Sequence, residues 1–159
     1  MELSERDFLL NEVSAGKLMH VATLDADGNP ALCHVWYRAT FTPDRLYFIS
    51  RHDRQHSLNI RNDGRIAGGI VATVPNGLGD KVRGVTFKGN AIELPKVGFD
   101  DLVEAFLDRW PNARAILSVD RPERGETQSR LYEIAVTEWV LFDEGNFPDE
   151  PRRSLPASG

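Results

Sequence analysis

The sequence holds one cysteine, Cys33, which excludes an internal disulfide framework and suits a reducing compartment. It has no apolar run approaching the ~18 residues that span a bilayer. Its opening, MELSERDFLL, carries acids where a secretory signal needs a basic and then an apolar stretch. These absences predict a cytoplasmic protein without a membrane. An excess of positive charge is missing too. The formal net charge is −5, the wrong sign for a protein that grips nucleic acid through its phosphates. HExxH and CxxC do not occur, and the glycines match neither GxxxxGK[ST] nor GxGxxG. Zinc-site, P-loop and Rossmann chemistry therefore find no support.

What is present is an ordinary globular composition. The 159 residues are 41% hydrophobic and 27% charged, enough to bury one core and too apolar for a disordered chain. Residues 4 to 15 read as a helix. Ser4 can cap it with Asp7 in a capping-box position, Leu3 and Phe8 frame a hydrophobic staple, and Gly16 stands at its end. From Leu18 the texture turns to β. "LMHVATL" and "PALCHVWYRATF" flank the turn-rich "DADGN", which predicts a hairpin. "RLYFIS" is a third strand after the Thr42-Pro43-Asp44 turn, and residues 53 to 63 suit a short helix closed by Gly64. "RIAGGIVATV" is strand four, followed by the loop "PNGLGD".

The fifth strand, "KVRGVTFKGNAIEL", has Gly84 and Gly89 where a curved sheet bends or backbones approach closely. "FDDLVEAFLDRWP" spaces Phe99, Leu102, Val103, Phe106, Leu107 and Trp110 as a helix does, and Pro111 stops it. "RLYEIAVTEWVLFDE" closes the set. The expected organisation is one domain over residues 1–145 and a loosely ordered, Pro-rich tail over 146–159. Six strands in succession, with helices before, between and after, predict an α+β, mainly β chain. An antiparallel barrel is the economical way to remove so many sheet edges.

The stretch "FISRHDRQHSLNIRNDGRIAGG" concentrates Arg51, His52, Arg54, His56, Arg61 and Arg65 in an acidic protein. With a strand ending near Ser50 and a helix starting near Asp53, the amides of residues 54 to 56 make an anion site. Arg51 adds a forked donor, and His56 and Ser57 add two more. Arg61 falls at the helix's other end, outside that site. The competing reading is a solvated connecting helix, and Asp53 has the wrong sign for anion binding. His20 and His34 lie on neighbouring strands. Without a third ligand at metal spacing they read as bonded or packed strand residues rather than a metal site. Cys33 reads as an inert small hydrophobe, and Asp100, Asp101, Glu104 and Asp108 as a solvated helix face. Trp36 and Tyr37, mid-strand, either line a slot for a flat ring or pack in the core.

These same stretches, "HVATLDADGNPALCHVWYRA", "DRLYFISRHDRQHSLNIRND" and "RIAGGIV", with the later "VRGVTFKGNAIEL", "FLDRWP" and "LYEIAVTEWVLFDE", carry a likeness. In their order, over roughly residues 8 to 145, the chain resembles the pyridoxamine 5′-phosphate oxidase-like, FMN-binding split-barrel superfamily. It looks closest to a small bacterial subgroup of uncertain function. The resemblance implies a six-stranded Greek-key split β-barrel, a homodimer, and FMN in grooves between protomers. It implies Val35 and Trp36 beside the isoalloxazine ring, Ser50 and Arg51 facing ribityl chain and phosphate, and His56 and Ser57 in place of the usual Lys/Arg and polar neighbour. The closing strand lacks the Arg-x-His-type pair of the true pyridoxamine phosphate oxidases, so vitamin B6 oxidation is not expected. The expectation is instead an FMN-dependent oxidoreductase with no catalytic side chain, moving a hydride between a reduced nicotinamide and a small-molecule acceptor. The alternative is a barrel that binds flavin, F420 or haem without turnover.

Overall fold

The computed structural model describes residues 1–115 and 129–159. A helix α1 (Glu5–Ala15) leads into β1 (Leu18–Leu24), β2 (Pro30–Trp36), β3 (Arg38–Thr40) and β4 (Arg45–Arg51). Then come α2 (Gln55–Asn62), β5 (Arg65–Ile70), β6 (Arg83–Glu93), α3 (Asp100–Arg109), a 3-10 turn (Pro111–Ala115), β7 (Ser129–Asp143) and β8 (Arg152–Pro156). The capping box at α1 forms as its sequence requires: the Ser4 hydroxyl accepts from the Asp7 amide at 3.1 Å, and the Asp7 carboxylate accepts from the Ser4 amide at 2.8 Å. Gly16 does not end the helix through a left-handed turn, because its backbone is extended. A Cβ there would run into the Tyr37 hydroxyl and Ile70, so close packing is what demands glycine.

All strand pairs are antiparallel, in the order β2-β1-β5-β6-β7-β4-β3. The sheet curls into a split barrel, an α+β architecture dominated by β. Eight strands form among the described residues where six were expected, for two reasons. "PALCHVWYRATF" breaks at Tyr37, so β2 pairs β1 while β3 pairs β4. The 146–159 segment, expected to be loose, contributes β8, which pairs β7 from Glu138↔Pro156 to Phe142↔Arg152. One edge of β7 thus takes β4 along its first half and β8 along its second. Gly89 sits at the register shift between Lys88 and Gly89, where a Cβ would strike the Ala135 carbonyl. That close approach lets β6 bend across β7.

Two apolar clusters lie on the two faces of this sheet. The inner one fills the barrel with Met19, Val21, Phe48, Ile70, Phe87, Ile134 and Trp139. The outer one packs Phe106 of α3 over Tyr47, Leu94 and Leu131. Asp44 is a buried anchor: it takes both Arg6 guanidinium nitrogens (2.9 and 2.6 Å), the Trp139 indole N–H (2.7 Å) and the Ser158 amide (3.0 Å). Burial by itself would raise its pKa, but the Arg6, Ser158 and Trp139 donors outweigh burial and bring it down to about 2. No described helix is long and apolar enough to cross a membrane.

Candidate functional site

The barrel is split along one seam. β2 lies beside both β4 and α2, yet β2 and β4 share no ladder. Extending the β3–β4 register backwards from Arg38↔Tyr47 would set Val35 against Ser50. The chain instead turns away at Tyr37, whose buried hydroxyl donates to the Val13 carbonyl. The Tyr37 amide donates to the Lys17 carbonyl at 3.4 Å. By the alternation of an antiparallel ladder, the amide and carbonyl of Trp36 then face the open edge. Val35 turns its side chain inward and is buried, while Trp36 is 52% exposed. The Trp36 ring lies edge-on to Trp110, 4.8 Å between centroids. Trp110 is fixed by its N–H to the Tyr37 carbonyl at 2.8 Å and by the Arg109 guanidinium over its ring.

Across the seam, β4 ends at Arg51 and α2 starts at Gln55. Arg54 is the N-cap, with extended backbone and no side-chain cap hydrogen bond. Its amide donates to the Arg51 carbonyl at 3.2 Å, so the amides at the helix mouth are those of residues 55 to 57, one step beyond the expected 54 to 56. The Ser50 hydroxyl stands 2.6 Å from His56 Nε2. Burial, and then the nearby Arg54 charge, pull the His56 pKa below its ordinary value. Ser57 is fully buried and its hydroxyl donates to the Arg51 carbonyl at 2.7 Å. It therefore ties the loop down from inside rather than presenting a donor to a ligand.

The geometry brings Val35, Trp36, Ser50 and His56 to one seam and changes the setting of Arg51. The Arg51 guanidinium grips Asp53 with both arms, at 3.0 and 2.7 Å. Asp53 holds Arg51 raised, and Arg51 holds Asp53 lowered. Arg61 is not outside the site's machinery: it donates to the His52 carbonyl at 2.6 Å and pairs with Glu93, which also accepts from the Tyr132 hydroxyl at 2.6 Å. Arg61 thus braces the loop between β4 and α2. Sequence reasoning missed this brace and the Arg109–Trp110 cover, because both are made across the fold. The i, i+2 spacing of Arg51 and Asp53 was the one local signal available. Cys33 is half-buried, and burial pushes its thiol up to about 11, in keeping with an inert thiol.

An exposed Trp36 thus stands on one side of the seam and the uncapped α2 mouth on the other, with Arg51 paired to Asp53. No family model matches the chain, and no curated protein matches it. Solved structures do. The haem-binding protein from Mycobacterium smegmatis superposes with a TM-score of 0.77 at 17% identity, covering 98% of this chain and 59% of the other. This chain thus spans about three fifths of that protein's length. An FAD-binding protein from Mesorhizobium loti gives 0.65 at 16% identity over 86% of this chain and 92% of its own. An F420 reductase gives 0.58 at 16% identity, over 81% and 93%. At such identities the property shared with these neighbours is the split-barrel fold.

Proposed function

We propose that this chain is a cytoplasmic FMN-dependent oxidoreductase, working as a homodimer, that passes a hydride between a reduced nicotinamide and a small acceptor. The observation that carries the reading is the seam, which offers an exposed tryptophan and open strand backbone on one side and an uncapped helix mouth with a Ser–His pair on the other. A flavin bound there would supply the hydride chemistry. The chain's own residues hold and orient: Val35 packs beneath, the Trp36 backbone meets the ring edge, and the Ser50 hydroxyl and the amides of residues 55 to 57 meet the phosphate end. Arg51 reaches that phosphate by exchanging one anion, Asp53, for another. Ser57 keeps the Arg51 carbonyl in place.

A second reading is favoured by the diversion of the cations. With Arg51 held by Asp53 and His56 pulled toward its neutral form, phosphate binding is weakened. A barrel that carries flavin, F420 or haem without turnover fits that weaker grip, and the Mycobacterium smegmatis neighbour is a haem-binding protein. Anaerobic addition of NADPH to the flavin-loaded protein separates the two. Bleaching of the flavin band supports the oxidoreductase. A band that stays, while flavin remains bound, supports the carrier.

A further inference from the structure

One pair of side chains lies outside the seam chemistry. His20 and His34 face each other across β1 and β2, in register and exposed. The Tyr37 amide bonds the Lys17 carbonyl across the hairpin, so by alternation His20↔His34 is a non-hydrogen-bonded pair, the kind that brings opposing side chains closest. The two Nδ1 atoms stand 2.8 Å apart, with the rings at 87° and centroids 4.6 Å apart. At that distance one Nδ1 carries a proton and the other presents its lone pair to it.

We propose that His20 and His34 form a two-histidine chelate for a late divalent transition metal of tetragonal preference, Cu(II) or Ni(II). The metal takes the place of the shared proton, bonding to both Nδ1 atoms. The displaced proton moves to Nε2 of the same ring, so both imidazoles stay neutral and donate lone pairs. Donors at ~2.0 Å from a metal and ~90° apart stand ~2.8 Å from each other, whereas tetrahedral donors stand ~3.3 Å apart. The observed separation is the tetragonal one. The backbone is already fixed, because the inward neighbours Met19, Val21 and Val35 are locked in the core. The same outward face carries Leu18 and Trp36 on one side of the pair and Ala22 and Leu32 on the other. These bring no carboxylate oxygen, so Mg²⁺ and Ca²⁺ find no ligand there. No group of three His, Cys, Asp or Glu gathers around a metal position among the described residues. The remaining coordination positions therefore belong to water, and the metal is exchangeable.

The test is a Cu(II) titration of the whole protein followed by electron paramagnetic resonance, with Ni(II) and Zn(II) titrated by calorimetry. The expected result is one Cu(II) per chain with hyperfine structure from two imidazole nitrogens, and Ni(II) bound more tightly than Zn(II). His20→Ala and His34→Ala should each lower Cu(II) affinity by at least ~100-fold, since even outer-shell changes at metal sites reach that scale. Both positions are exposed, so unchanged circular dichroism will verify that the variants fold. Equal Cu(II) uptake by wild type and either variant overturns the proposal, as does a Zn(II) preference over Ni(II).

Discussion

Arg51 is where the phosphate reading is most exposed to test. It is a permanent cation, and it already has an anion in Asp53. Losing a charge-assisted hydrogen bond to the phosphate, Arg51→Ala should weaken FMN binding by ~10- to 150-fold. Riboflavin, lacking the phosphate, should bind both proteins about equally in the same fluorescence titration. Asp53→Asn should do the opposite and tighten FMN, by releasing Arg51. Arg61→Ala is no neutral control, because Arg61 holds the His52 carbonyl. Arg65, paired with its neighbour Asp63 at the surface, serves as one. His56 adds a pH dependence whose sign is fixed. Its ligand-free pKa lies below the ordinary histidine value through burial and then Arg54, and a bound phosphate would raise it. Its help is therefore full below the free value and fades as pH rises through the bound value. FMN affinity should fall toward alkaline pH in wild type and stay flatter in His56→Ala. Identical slopes would remove His56 from the site.

At the scale of elements, the C-terminal strand makes the sharpest prediction. β8 covers the second half of β7, Arg153 pairs with Glu5 at 2.6 Å, and the Ser158 amide reaches buried Asp44. Deleting residues 152–159 should lower the melting temperature clearly, whereas a loosely ordered tail would leave it unchanged. Asp44→Ala should be harsher, since it takes the acceptor from Arg6, the Trp139 indole and the Ser158 amide at a carboxylate that is itself fully buried. Because the Asp44 pKa is depressed to about 2, its contribution is present above the unfolded carboxylate value and is lost as pH falls toward 2. Acid unfolding of wild type should therefore be steeper than that of Asp44→Asn in this range. Local elements were legible in the sequence: the Ser4–Asp7 capping box, the DADGN hairpin and the glycine at the β6 bend are all written in neighbouring residues. The break at Tyr37 was not, since "CHVWYRATF" alternates like one strand and only partners elsewhere decide that it divides. β8 was illegible for the same reason. "RRSLP" is polar and proline-bearing, and its strand exists through the backbone of β7. In the site, the Ser50–His56 neighbourhood followed from spacing, while the inward turn of Ser57 depended on burial that no local pattern encodes.

For the whole molecule, the apolar surface decides association. Among the large aromatics near element ends, Trp139 is wholly buried, and Trp110 and Phe142 are partly so, so none of them offers an open face to a partner. Leu18, Leu32, Trp36 and Val71 are exposed instead, and the ladders set Trp36 beside Leu18 on one outward face. A second copy over the Leu18, Trp36 and Val71 end of that face is the proposed dimer, with the His20–His34 pair left at its water-exposed rim and an interface above ~2,000 Å² in total. Replacing Leu18 and Val71 together by Asp should shift the sedimentation coefficient from dimer to monomer. The measurement that tests the central claim most directly is mass spectrometry of the purified protein under non-denaturing conditions, where chain number and bound small molecule are read together. The account predicts a two-chain species carrying one FMN per chain. A species without any flavin, or one carrying haem in its place, would contradict it.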